Sequence, residues 1–203
     1  MRSRRQSTEA GFSVVETAVV VAVAAVVIAF ATPKITSAMK EFRLQSATQM
    51  MADMVARAKM QGLVNNATSS LTVDTVNNQL GFTTFDPGTN TANGTTWMPL
   101  PQGITFARPQ SAGAPMTGAP TSASISFAAQ NGSTSVFQQD FTSKGFPNVT
   151  AGTVHAVYLT NGKSYSAITL TSVGGVRLWR WDGSNWYSGH PTSTSTSGSP
   201  SGH

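Results

Sequence analysis

At 203 residues the chain is long enough for one ordinary domain with a segment attached and too short for two comfortable ones. Only 10% of residues are charged while 24 Ser and 27 Thr fill 51 of 203 positions, a balance that disfavours a soluble cytosolic enzyme, and the lack of cysteine excludes disulfide scaffolds, zinc fingers and thiol nucleophiles. Of the net charge of +5, Arg2, Arg4 and Arg5 against Glu9 supply +2, so the remaining +3 is spread over 192 residues, too dilute to announce a nucleic-acid surface.

Residues 1–11 are basic and polar, and Phe12 to Ala31 is apolar apart from Ser13, Glu16 and Thr17. As a helix that run reaches ~30 Å, the thickness of a bilayer's hydrocarbon core. The basic leader stays in the cytoplasm by the positive-inside tendency, which sends the rest of the chain outward. Three export readings compete: a secretory signal cut after Ala29-Phe30-Ala31, a twin-arginine signal on Arg4-Arg5, and a helix retained in the membrane. The polar run Gln6-Ser7-Thr8 spoils the second. Glu16 separates the other two, because a charge at the centre of a membrane helix costs about 2.5–3.5 kcal/mol and a disposable signal has no use for one. A cut between Gly11 and Phe12 would create its partner: an α-amine of pKa about 7.7–8.0, one helical turn away.

Gly11-Phe12-Ser13-Val14-Val15-Glu16, between a basic leader and an apolar helix, resembles the class III signal of type IV pilins and pseudopilins. The resemblance implies that a prepilin peptidase cuts after Gly11 and methylates Phe12. It implies that Glu16 guides assembly with other pilin subunits, from an inner-membrane anchor with the head outside. Pro33 stands where many pilins have a helix-bending proline. The implied protein is no enzyme and needs no cofactor.

Residues 34–62 continue the helix with an apolar stripe: Ile35, Met39, Phe42, Ala47, Met51, Met54, Val55 and Ala58. Gly62 reads as its stop. Leu71–Val76 and Leu80–Phe85 flank Asn77-Asn78 as a hairpin. Residues 86–122 read as an irregular surface insert whose only clear strand is Ile104–Phe106. Ile125–Phe127 and Val136-Phe137 flank Asn131-Gly132 as a second hairpin. Residues 153–181 read as a three-stranded antiparallel meander with turns at Asn161-Gly162 and Gly174-Gly175. The expected class is α+β: a long N-terminal helix, membrane-spanning in its first half, packed on a C-terminal antiparallel β-sheet head. Its divisions are a leader (1–11), a membrane and filament-core helix (12–33), an amphipathic second half (34–62), a head (63–189) and a disordered Ser/Thr-rich tail (190–203). Phe141 to Asn148, the meander and Gly174 to Leu178 are similar to the end of pseudopilin H and FimT-like minor pilins.

Motifs for nucleotide binding, zinc hydrolysis and serine catalysis are absent from the sequence. Four N-x-S/T sequons occur, at Asn66, Asn93, Asn131 and Asn148, as expected in a chain rich in Asn and Thr. In Arg177-Leu178-Trp179-Arg180-Trp181, alternation puts Arg177, Trp179 and Trp181 on one face and Leu178 and Arg180 on the other. Some FimT-like pilins bind DNA through a glycine-arginine-x-arginine stretch here, and Gly174-Gly175-Val176-Arg177 keeps half of it. Arg177 and Arg180, helped by Lys163, are candidate DNA contacts by phosphate pairing and stacking; the competing reading packs the tryptophans into the core with the arginines at its rim. The expectation is a minor pilin or pseudopilin of a type IV pilus or type II secretion system. The alternatives are a DNA-binding minor pilin for uptake and a secreted β-domain released after Ala31.

Overall fold

A computed structural model describes residues 13–89 and 91–188. The leader, Gly11, Phe12 and the tail 190–203 lie outside the described residues. The chain forms two compact units, Met1–Met39 and Lys40–His203.

Helix α1 spans Val14–Asn65 and contains Pro33. Ser13 caps its start: the Ser13 hydroxyl accepts from Val15 N–H at 3.3 Å and the Ser13 carbonyl from Thr17 N–H at 3.1 Å. The helix does not stop at Gly62. It ends three residues later, where Asn66 turns left-handed at φ 46°. Asn66 N–H then donates to Leu63 O and Ala67 N–H to Gly62 O, the paired bonds of a Schellman cap. Gly62 is small for another reason: a Cβ there would stand 2.7 Å from the Thr142 carbonyl oxygen.

The second unit carries two antiparallel sheets. The first contains β1 (Ser69–Asp74), β2 (Gln79–Phe85), β3 (Ala92–Pro99), β4 (Ala128–Ala129) and β5 (Val136–Phe141), in the order β3-β2-β1-β5-β4. The second contains β6 (Val154–Thr160), β7 (Tyr165–Thr171), β8 (Val176–Trp181) and β9 (Trp186–Ser188), in chain order. The α+β class is therefore as expected, with one helix packed on antiparallel sheets.

Several details differ from the sequence reading. Residues 86–122 are not all irregular, because β3 pairs along β2. Ile104–Phe106 makes one bridge, Thr105 to Thr160, rather than a strand. The second hairpin pairs Ala128-Ala129 with β5, and Ile125 instead bridges Val157. The meander gains a fourth strand, β9.

The main core joins the helix to both sheets. Leu44, Ala47, Met51, Met54, Val55 and Ala58 are buried with Leu71, Val73, Leu80 and Phe141 of the first sheet and Val157, Leu159, Ile168 and Leu170 of the second. Ile35, Met39 and Phe42 do not belong to this stripe and are exposed. Leu44 takes their place. At 100° per residue Phe42 points about 200° away from Leu44, so both cannot face the sheets.

A smaller core lies on the other face of the second sheet, where Val154, Ala156, Tyr158 and Ala167 pack under Ala119 and Met116. The cover is held by the Tyr158 hydroxyl donating to Pro120 O at 2.8 Å and Trp186 Nε1–H donating to Gly113 O at 2.9 Å. Buried polar ends that find such carbonyls cost little. Much of the supposed surface insert is thus a lid on the sheet.

Candidate functional site

Three places carry the residues singled out by sequence. The first is the start of α1. Val14, Val15, Val19 to Val21, Val23, Val26 to Ile28 and Phe30 are all more than half exposed. This is the one helix among the described residues that is long and apolar enough to cross a membrane, and its most apolar window of 18 residues has mean hydropathy 2.6 with none of it buried. An apolar surface of this size is costly to leave in water, and the helix is compatible with a membrane anchor or a signal.

Glu16 is the third helical residue and is exposed. Ser13-Val14-Val15-Glu16 has the S-x-x-E spacing of a capping box, a signal that the sequence reading passed over. A carboxylate in the first turn also meets the positive end of the helix dipole, worth about 0.3–1 kcal/mol at a surface. Its local helix role and a role toward a neighbour's amine are compatible.

The second place is β8. Its alternation is as read: Val176, Leu178 and Arg180 face the helix, while Arg177, Trp179 and Trp181 face away. The basic residues do not converge. Arg180 Nη2 pairs with Glu41 Oε1 at 2.5 Å, and Asn161 Nδ2 approaches Glu41 Oε2 at 3.5 Å. Arg177 is exposed on the opposite face, across from Thr169. Lys163 sits in the β6–β7 turn, whose Lys163 and Ser164 N–H groups donate to Asn161 Oδ1. Tyr165 beyond that turn pairs with Trp181, so Lys163 lies at least four residue steps from Arg177, about 14 Å. The tryptophans are also engaged. Trp179 Nε1–H donates to Thr169 Oγ1 at 2.9 Å, and the Trp181 and Trp186 ring centroids are 5.2 Å apart.

The third place is where Phe141 to Asn148 and Gly174 to Leu178 meet the helix. Lys59 Nζ donates to Gly174 O at 2.7 Å. Gly145, left-handed at φ 73°, lies against Leu63 and the Lys59 carbonyl, each of which a Cβ would approach to 3.2 Å. Phe141 and Pro147 are buried on either side of that turn, and Asn148 N–H donates to Asp140 O at 2.8 Å. Both segments therefore meet the last turns of α1 at a glycine whose left-handed backbone (φ 73° at Gly145, 79° at Gly174) other residues rarely adopt. The opposite side of the helix stays open, with Phe42, Met60 and Val64 exposed.

No family model matches the chain, and neither a curated protein nor a solved structure is significantly similar to it.

Proposed function

We propose that the chain is a structural subunit of a type IV pilus or a type II secretion pseudopilus, a minor pilin or pseudopilin anchored in the inner membrane before assembly. The observation that carries this reading is the exposed apolar start of α1 with a single carboxylate, Glu16, in its first turn. A prepilin peptidase cut after Gly11 puts the Phe12 amine, methylated or not, next to that carboxylate. Low dielectric then makes the pairing of Glu16 with a neighbour's amine strong enough to set helix register. The open face of the helix within the head gives neighbouring subunits a further surface to pack on.

Intact-mass measurement and N-terminal sequencing of membrane extracts test the processing step. A mature chain beginning at Phe12 is expected; one beginning at Thr32 means a secreted domain instead. Glu16→Val should insert and be cut at least as well as wild type while failing to enter filaments, since removing the charge eases insertion. Normal incorporation of that variant refutes the pairing.

A further inference from the structure

Residues opposite one another in paired strands share a face of the sheet. On the face of the first sheet turned away from the helix, the register aligns Trp97, Gly81, Thr72 and Gln138 in one row across β3, β2, β1 and β5. The next row is Thr95, Thr83, Ser70 and Asp140. Leu71, Val73, Leu80 and Phe141 alternate with these residues and enter the main core on the opposite face. None of the residues in the two rows belongs to either apolar core.

The Trp97 indole is laid onto this face by a glycine. Gly81 lies inside β2, where glycine weakens a strand, and its own backbone is not left-handed. What requires it is the ring above: a Cβ there would stand 2.7 Å from Trp97 Cζ3 and 2.8 Å from Cε3. The ring is still 40% exposed. Trp179 and Trp186 give their indole N–H groups to Thr169 and Gly113, whereas Trp97 Nε1–H has no protein acceptor among the described residues. Three strand spacings away, about 14 Å, stand Gln138 and Asp140. Asp140 Oδ1 accepts from Ser70 Oγ and Gln138 Nε2, both at 2.6 Å, and Gln130 Nε2 orients the Gln138 amide by donating to its Oε1 at 2.6 Å. Asp140 Oδ2 takes no hydrogen bond from the described residues.

We infer that this face binds a neutral polysaccharide, a ribbon of pyranose rings running across the strands from Trp97 to Asp140. Charge selects the occupant. Asp74 and Asp140 are the only charged residues in the five strands, so a phosphate or sulfate polyanion meets repulsion and no cation to neutralise it. An added peptide strand is held by main-chain bonds at a sheet edge, not across a face. A neutral sugar matches the groups that remain. Its C–H face covers an indole, and its hydroxyls both donate and accept. They meet an acceptor-only carboxylate oxygen, an oriented amide and the Thr83 and Thr95 hydroxyls, which are 2.7 Å apart. A flat face suits an extended chain, whereas a single small molecule is held in a concave pocket. The site rests on the sheet alone and does not depend on how the helix assembles.

Calorimetric titration of the full chain, held in a zwitterionic detergent without sugar headgroups, tests this with cellohexaose and chitohexaose as neutral probes and a heparin hexasaccharide as the anionic one. At least one neutral probe should bind at millimolar concentration or below, and heparin should not. Trp97→Ala should weaken that binding about tenfold, through loss of the stacking surface. Asp140→Asn keeps the size of the side chain and should weaken it several-fold; this variant decides the test if a thermal melt shows that Trp97→Ala has loosened β3. Tyr187→Ala, at an exposed aromatic of the second sheet, should leave binding unchanged. Silence from both neutral probes overturns the proposal, and so does heparin binding as tightly as they do. Binding undiminished in Asp140→Asn, or reduced equally in Tyr187→Ala, puts the sugar elsewhere and overturns it too.

Discussion

Gly62 sits in the last turns of a helix, where glycine ordinarily costs about 1 kcal/mol relative to alanine. Here the gain from alanine is outweighed, because its Cβ would press on the Thr142 backbone at 2.7 Å and a β-turn cannot yield as a side chain can. Gly62→Ala should therefore destabilise the head by about 1–3 kcal/mol, read as a lower midpoint in denaturant melts. The sequence alone gives a different reason for that glycine, since one near a helix end looks like a stop. Asn66 holds that role instead, and nothing local distinguishes it from Asn65. A second residue-scale consequence concerns His155. Its Nδ1–H donates to Ser126 O at 2.8 Å, its ring lies 5.9 Å from that of Phe127, and burial lowers its pKa below the ordinary 6.5 despite that hydrogen bond. The unfolded chain takes up the proton first, so this contribution to stability is complete above about 6.5 and is lost as pH falls below it toward the folded pKa. His155→Asn, which keeps a donor without the titration, should show a flatter melting temperature across that range than wild type.

Two faces of one helix have different duties, and substitution separates them. Met51 is fully buried between the sheets while Phe42 is 71% exposed. Met51→Asp should unfold the head, because an unpaired buried carboxylate costs several kcal/mol. Phe42→Asp should leave its thermal melt nearly unchanged and, under the proposed filament role, impair only association with other subunits. Equal melts for the two variants would mean that the helix is placed the wrong way round. Much of this element-scale order was legible. The period of Ala47, Met51, Met54, Val55 and Ala58 marked the core stripe, and Asn-Asn, Asn-Gly and Gly-Gly pairs between alternating runs marked three of the turns. Phe42 was misplaced because hydrophobicity alone cannot say which of two apolar faces the sheets cover. β3 was missed for a related reason: exposed on both faces, it has no alternation to read, and only its pairing with β2 makes it a strand. The lid over the second sheet is held by Gly113 and Pro120 carbonyls, and backbone acceptors leave no mark in composition. At the candidate sites, the carboxylate in the apolar segment was plain from sequence. The separation of Arg177 from Arg180 was half legible through strand alternation, and the Glu41 partner of Arg180 was not, since it comes from 139 residues away in the chain.

At the scale of the whole chain the buried apolar residues lie between Leu44 and Leu170, while the large apolar residues from Val14 to Met39 are exposed. The main core draws on the helix only from Leu44 onward. Removing residues 1–39 therefore takes away no buried side chain of the head, and it removes the surface that water tolerates least. The truncated chain should be soluble without detergent, β-rich by circular dichroism and cooperative in its thermal melt, while the full chain partitions into membranes or detergent. A deletion carried on through Ala58 should behave quite differently. Leu44, Met51, Met54 and Val55 would be lost together, and burial of four such side chains contributes on the order of 6–12 kcal/mol. That is comparable with the whole net stability of an ordinary domain, about 5–15 kcal/mol. The longer deletion should leave both sheets with an uncovered apolar face and no cooperative transition. If both truncations melted alike, the helix would be an ornament on a self-sufficient β-domain, and the division of labour along it would have to be abandoned.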